Sequence, residues 1–412
     1  MPGNKAPVPK LWTGIFIIII LLTFCCFVMG QGLNSGTSVY LDRMGYGASL
    51  AGVFALTFSV TAALMRLAVG PLIDAGKTSL LVIVGIVILI VGTFLPVVIE
   101  FGGIPAYFVA RVLQGAGFAC ATTAAATAAA DILPQERLGE GIGYYGLGQA
   151  LAMSVGPAFA LYLVGTDPAS NLYLGLSFVG VAGLCLACVA RYERHPEKLP
   201  FSSAYRSRFE GRLKVSAKKE TGLKTIFEPR ALPGAIPMLI ESSAFGFGIF
   251  FVGLYGTSLG VGNAGLFYTV SAISMIAVRL CSGRFMDTVA PIKVFTVAIA
   301  CGLVAYVMLY FGGSNEWLFY LSGIPYGVCL GVSLPLNQSV SVKNTPPERW
   351  GATNALFLLF NDVGIGTASA IWGVINETLG FSVTIPCVMA CLVVSYLLAW
   401  IAYPADCKKW KK

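Results

Sequence analysis

Long stretches of this chain carry no charge at all, among them those between Lys77 and Glu100, between Asp167 and Arg191, and between Lys293 and Glu316. A helix that crosses a bilayer needs about 20 mostly apolar residues, and each run supplies them. Nine further stretches share this character. The predicted spans are 11–33, 46–67, 79–99, 104–130, 142–165, 171–191, 232–254, 264–283, 294–313, 316–339, 351–374 and 382–403. Composition agrees. The chain is 57% hydrophobic and 11% charged, where a soluble domain carries roughly 25% charged residues. Most of the chain belongs in lipid, and too little polar sequence remains for a large domain outside it.

Charge fixes the orientation. A net charge of +8 would suggest nucleic acid in a soluble protein; here topology explains it. With both termini cytoplasmic, all of the 27 Lys and Arg except Arg43 and Arg111 fall at cytoplasmic ends and loops. The outer loops hold Asp42, Glu100, Asp167, Glu316 and Glu377. That is the positive-inside pattern of a multi-pass protein of the plasma (inner) membrane, with lipid and not nucleic acid around it. The Lys5/Lys10 start and the run from Leu11 to Cys26 mimic a signal peptide, but the run continues without a cleavage site and reads as an uncleaved first helix. The single histidine, His195, sits in a charged loop, so no histidine metal site is expected. Of the eleven cysteines, all but Cys407 lie in apolar segments, and none in an outer loop, so no disulfide framework is expected. No cofactor is implied.

The chain repeats itself half a length apart. Gly52, Arg66, Gly70 and Asp74 line up at one constant offset with Gly265, Arg279, Gly283 and Asp287. Each copy is an apolar helix that ends in Arg, a Gly turn and an Asp. A second pair, Pro134-Gln-Glu-Arg137-Leu-Gly139 and Pro346-Pro-Glu-Arg349-Trp-Gly351, repeats with the register shifted by one residue. Two copies of one unit predict an all-α membrane protein of twelve transmembrane helices in two pseudo-symmetric six-helix bundles. The predicted boundaries are 1–191 for the first bundle, 192–230 for a basic cytoplasmic linker, and 231–412 for the second bundle with its basic tail.

These motifs resemble the major facilitator superfamily over essentially the whole chain. Gly70-Pro-Leu-Ile-Asp74-Ala-Gly-Lys77 is similar to that family's signature loop, although Ala75 stands where a basic residue is usual and the loop is one residue short. Arg111-Val-Leu-Gln114-Gly115-Ala-Gly117 resembles its Arg-x-x-Gln-Gly element. Gly148 to Gly156-Pro157 resembles a Gly-Pro element of exporters that exchange substrate for protons, and Asn361-Asp362-Val-Gly364-Ile-Gly366 resembles bacterial multidrug exporters. The resemblance implies a monomeric carrier of a small molecule. It also implies a conformational latch on the cytoplasmic side, formed by Arg66, Gly70, Asp74 and Lys77 and repeated as Arg279, Gly283 and Asp287.

Charged residues inside the spans carry the functional expectations. Arg111, Glu241 and Asp362 lie far from loop ends, and each costs roughly 2.5–3.5 kcal/mol at a helix centre on insertion scales. They are expected to face an aqueous cavity between the bundles. Arg66 and Arg279, at helix ends, are expected to snorkel towards the interface. Helical spacing puts Arg111, Gln114, Phe118 and Thr122 on one face; Gln31, Asn34 and Ser38 share another, and Asn354, Phe357 and Asn361 a third. Phe245 follows Glu241 by one turn. The expected substrate contacts are Gln31, Asn34, Arg111, Gln114, Phe118, Phe245, Phe357 and Asn361. A carboxylate withdrawn from water takes up a proton more readily, which makes Asp362, ahead of Glu241, the expected proton carrier. No nucleotide-binding Gly-x-x-x-x-Gly-Lys-Ser/Thr motif occurs, and no clustered acids or nucleophiles point to an enzyme. Proton-coupled export of a small organic molecule by alternating access is the expectation. Proton-coupled uptake of an organic anion is the alternative.

Overall fold

A computed structural model describes residues 11–43, 48–98, 103–134, 137–166, 168, 170–191, 193, 227–261, 264–282, 288–312 and 315–403. Most of the basic linker falls outside that range. The first bundle holds α1 (Gly14–Arg43), α2 (Ala48–Asp74), α3 (Thr78–Val98), α4 (Gly103–Ile132), α5 (Leu138–Val164) and α6 (Asn171–Val189). The second holds α7a (Leu232–Phe250), α7b (Val252–Ser258), α8 (Gly265–Ser282), α9 (Pro291–Gly312), α10a (Glu316–Leu321), α10b (Gly323–Lys343), α11 (Trp350–Leu379) and α12 (Phe381–Ala402). No strand occurs among the described residues. By length and composition, eleven of the spans can cross a membrane, and α8 is the shorter apolar exception at Gly265–Cys281.

The expected spans recur with different ends. α1 and α11 run well past their apolar cores, because a helix satisfies its own backbone whether or not the flanking side chains are polar. Two spans are stepped: α7 is interrupted at Phe251, and α10 begins as a short helix capped by Asn315, whose side chain accepts from Trp317 N at 3.1 Å and Leu318 N at 3.3 Å. At the end of the first bundle, the Glu193 carboxylate accepts from Thr78 N at 3.0 Å and Ser79 N at 3.2 Å, capping α3.

The repeat seen in sequence is a repeat of packing. In the first bundle α1 packs on α5 and α6, α3 on α4 and α6, and α2 on α4. In the second, α7a packs on α11 and α12, α9 on α10b and α12, and α8 on α10b. Small residues bring these helices together where lipid removes any hydrophobic drive between them. At Gly92 an added Cβ would lie 2.8 Å from the Gln114 backbone nitrogen, so α3 and α4 meet almost backbone to backbone.

The bundles meet through α2 on α11 and α5 on α8, with α4 on α11 and α5 on α10b beside them. These pairs exchange under the same pseudo-symmetry. Among the described residues, the hydrogen bonds between bundles cluster from mid-span towards the side where α2 ends and α11 begins, which is also the linker side.

Candidate functional site

Arg66 and Asp362 form the centre of the bundle interface. Arg66 Nε donates to Asp362 Oδ2 at 2.8 Å. Its Nη1 donates to Thr122 Oγ1 at 3.2 Å and Thr123 Oγ1 at 2.9 Å, and its guanidinium lies 5.9 Å from the centre of the Phe118 ring. The Arg66 side chain is 1% exposed and that of Asp362 23%. Arg66 therefore does not snorkel. Two turns of α2 separate it from Asp74, and the opposing bundle holds an acid where a guanidinium needs one. Arg279 is likewise buried at 1% exposure, and its Nη1 donates to the Gly146 carbonyl of the other bundle. Both expectations of snorkelling are corrected by burial between the bundles.

The residues expected to form a latch meet partners from both halves. Asp74 accepts from Gly351 N at 2.7 Å and Ala352 N at 3.2 Å, so its carboxylate sits on the positive end of α11. Gly351 is required there, since a Cβ would lie 2.6 Å from Asp74 Oδ1. At Gly70 a Cβ would lie 3.0 Å from Ala355 Cβ. The cation on Asp74 is Arg349, at 3.5 Å, which also donates to Glu228 at 3.1 Å. Lys77 is exposed. Sequence reasoning did not assign Arg349 or Glu228 to the latch, although Arg349 stands in the repeated Pro-x-Glu-Arg-x-Gly motif. Gly283, Asp287 and the Ser38 side chain lie outside the described residues.

On the other side of Arg66, α4 carries a second buried cation. Arg111, 2% exposed, donates to Phe54 O at 3.2 Å, Gln114 Oε1 at 3.1 Å and Asn34 Oδ1 at 3.3 Å, with the Phe58 ring centre at 5.1 Å. Gln114 is held by Gly92 O at 3.0 Å. All these acceptors are neutral, and none of the ion pairs among the described residues includes Arg111. Asn34 is exposed and Gln31 half-buried. Phe118 packs against Phe27 and Phe58 below them.

The other expected residues divide. Asn361 accepts from Ser242 Oγ at 2.9 Å. Asn354 bridges the bundles, donating to Thr127 Oγ1 at 3.2 Å and accepting from Gln338 Nε2 at 3.0 Å. Phe357 is fully buried, and Phe245 packs edge-on against Tyr326 inside the second bundle. Glu241 corrects an expectation. It is 0% exposed, accepts from Asn337 Nδ2 at 3.3 Å and Cys329 Sγ at 3.7 Å, and so points into α10b of its own bundle, not into a cavity between bundles. Tyr403 extends that cluster, donating to Asn337 Oδ1 at 2.6 Å. Gly148 and Gly156 face α1: a Cβ at Gly156 would lie 3.0 Å from Val28 O and 3.1 Å from Gln31 Cβ. Pro157 lies inside α5, which continues through it.

Comparison with known proteins agrees with this architecture. The chain is 25% identical over 378 residues to the staphylopine export protein of Staphylococcus aureus, covering 89% of this chain and 90% of that one. Its fold is similar to the human organic anion transporter MFSD10, with a TM-score of 0.70 at 11% identity, covering 93% of this chain and 98% of that one. It is also similar to the proton:xylose symporter XylE, with a TM-score of 0.73 at 12% identity over 95% and 96% of the two chains. Residues 19–369 match the sequence profile of the Major Facilitator Superfamily, and the chain belongs to that family of multi-pass membrane transporters.

Proposed function

We propose that this transporter exports a small organic molecule in exchange for protons, by alternating access, as a monomer in the plasma (inner) membrane with both termini cytoplasmic. The observation that carries the reading is the Arg66–Asp362 ion pair, which joins the two bundles at 2.8 Å. A proton on Asp362 cancels the charge that holds Arg66, and the bundles lose their central bond. An acid whose surroundings change as the bundles rock has a different proton affinity in each state, and that difference couples proton to substrate. The similarity to an exporter over most of both chains supports the direction. Arg111, buried among neutral acceptors, favours a second reading, proton-coupled uptake of an organic anion.

Asp362→Asn is expected to lose substrate accumulation driven by a pH gradient while keeping downhill exchange. The measurement is transport in proteoliposomes with and without an imposed gradient. An Asp362→Asn protein that still concentrates substrate in response to the gradient removes the assignment.

A further inference from the structure

We propose that Arg279 is an anion-binding position between the bundles, where a carboxylate or similar anionic group of the transported molecule takes the place of an acid that the first repeat lacks. This deepens the transporter reading and rests on it for the identity of the ligand as cargo.

The two-fold relation between the repeats exposes the gap. Arg66 of α2 corresponds to Arg279 of α8. Gly139 and Gly351 correspond in the first turns of α5 and α11. Counting on in register, Gln149 stands where Asn361 does, and Ala150 stands where Asp362 does. One arginine meets an aspartate across the interface, while the register of the repeats puts Ala150 where the acid for its counterpart would stand.

The surroundings of Arg279 bear this out. Its side chain is 1% exposed. Nη1 donates to the Gly146 carbonyl across the interface, while Nε has no hydrogen-bond partner. None of the ion pairs among the described residues includes it. Gly146 leaves the room: a Cβ there would lie 3.0 Å from the guanidinium carbon. Ala150, fully buried, is one helical turn from Gly146 on the same face of α5. A carboxylate at that place would meet the guanidinium.

A buried guanidinium needs a counter-charge, and its flat fork of donors fits a carboxylate in two-point fashion. The bond to Gly146 crosses between bundles. Any motion that parts them on the linker side breaks it and leaves the guanidinium in the wall of the gap. The anion is thus taken up from the linker side. Arg111 lies in α4 on the other side of the Arg66 layer, and its donors are already taken by Phe54 O, Gln114 and Asn34, which leaves Arg279 as the guanidinium with a donor to spare.

The test is thermal unfolding of the full chain in zwitterionic nanodiscs, titrated with acetate and with inorganic phosphate at constant ionic strength. The native protein, Arg279→Gln, Arg279→Lys, Ala150→Asp and the Ala150→Asp/Arg279→Gln double variant are compared. One of the anions is expected to stabilise the native chain saturably, with apparent affinity about tenfold weaker or worse in Arg279→Gln and partly kept in Arg279→Lys. Ala150→Asp is expected to raise the unfolding temperature unaided, to lose that gain in the double variant, and to respond to neither anion. The proposal is overturned if the native chain shows no saturable response, if Arg279→Gln keeps it, or if Ala150→Asp responds as the native chain does. Should Arg279→Gln fail to fold, Ala150→Asp, which keeps Arg279, decides alone. Gradient-driven transport by Asp362→Asn reports separately on proton coupling, so either reading can fail while the other stands.

Discussion

Arg111 and Glu241 are both buried charges, but their partners assign them different work. Arg111 reaches three acceptors on three elements, Phe54 O on α2, Gln114 on α4 and Asn34 on α1. A lysine has no planar fork to reach them together, so Arg111→Lys is expected to lose most transport, and Arg111→Ala all of it, in counterflow assays on proteoliposomes. Full counterflow by Arg111→Ala would reduce Arg111 to a packing residue. Glu241 is bonded only within its bundle, through Asn337 and Cys329. Glu241→Gln keeps the shape and an acceptor for Asn337, so gradient-driven transport is expected to stay within about twofold of native. Glu241→Ala leaves Asn337 short of a partner and is expected to cost about 1–3 kcal/mol in stability. Loss of gradient response in a well-folded Glu241→Gln protein would return the proton to Glu241.

At the scale of elements, the α2–α11 contact is expected to act as a helix-end latch. Asp74 caps the start of α11 in this closed arrangement, an interaction worth up to about 2 kcal/mol in partly buried settings. Asp74→Asn keeps a weaker acceptor and loses the charge. It is expected to slow turnover while leaving affinity in a trapped state within a few-fold, as read by binding and exchange on the same preparation. Abolished binding in the trapped state would refute the latch. The elements themselves were legible in sequence, because charge-free runs and repeated Gly, Arg and Asp positions record span and symmetry directly. Partners were less so. The 3.6-residue period shows that Glu241 and Asp362 lie inside the membrane, but not which neighbour each faces. Glu241 turned out to face α10b, and Asp362 an arginine of the opposite repeat. Arg349 took the place expected of Lys77, because the cation beside Asp74 comes from the other bundle, about 275 residues away in sequence, beyond any local pattern.

Across the whole molecule, two bundles are joined by contacts that lie mostly on the linker side, from Arg66–Asp362 at mid-span to Asp74 at the start of α11. If transport requires those contacts to open once per cycle, a covalent bond across them stops it. Gly70 and Ala355 offer the place: a Cβ at Gly70 would lie 3.0 Å from Ala355 Cβ, close to the roughly 3.5–4.5 Å that a disulfide spans between its β-carbons. In a background freed of other cysteines, Gly70→Cys with Ala355→Cys is expected to form a disulfide on mild oxidation and to halt counterflow, with reductant restoring it. A cross-link inside one bundle is the control. Gly183→Cys beside the native Cys25, where the β-carbons would lie 3.1 Å apart, joins α6 to α1 and moves with them. It is expected to leave counterflow near its reduced value if the bundles rock as units. Undiminished counterflow by the oxidised Gly70–Ala355 pair would mean that the linker side stays closed through transport, and alternating access between these two bundles would have to be abandoned for this chain.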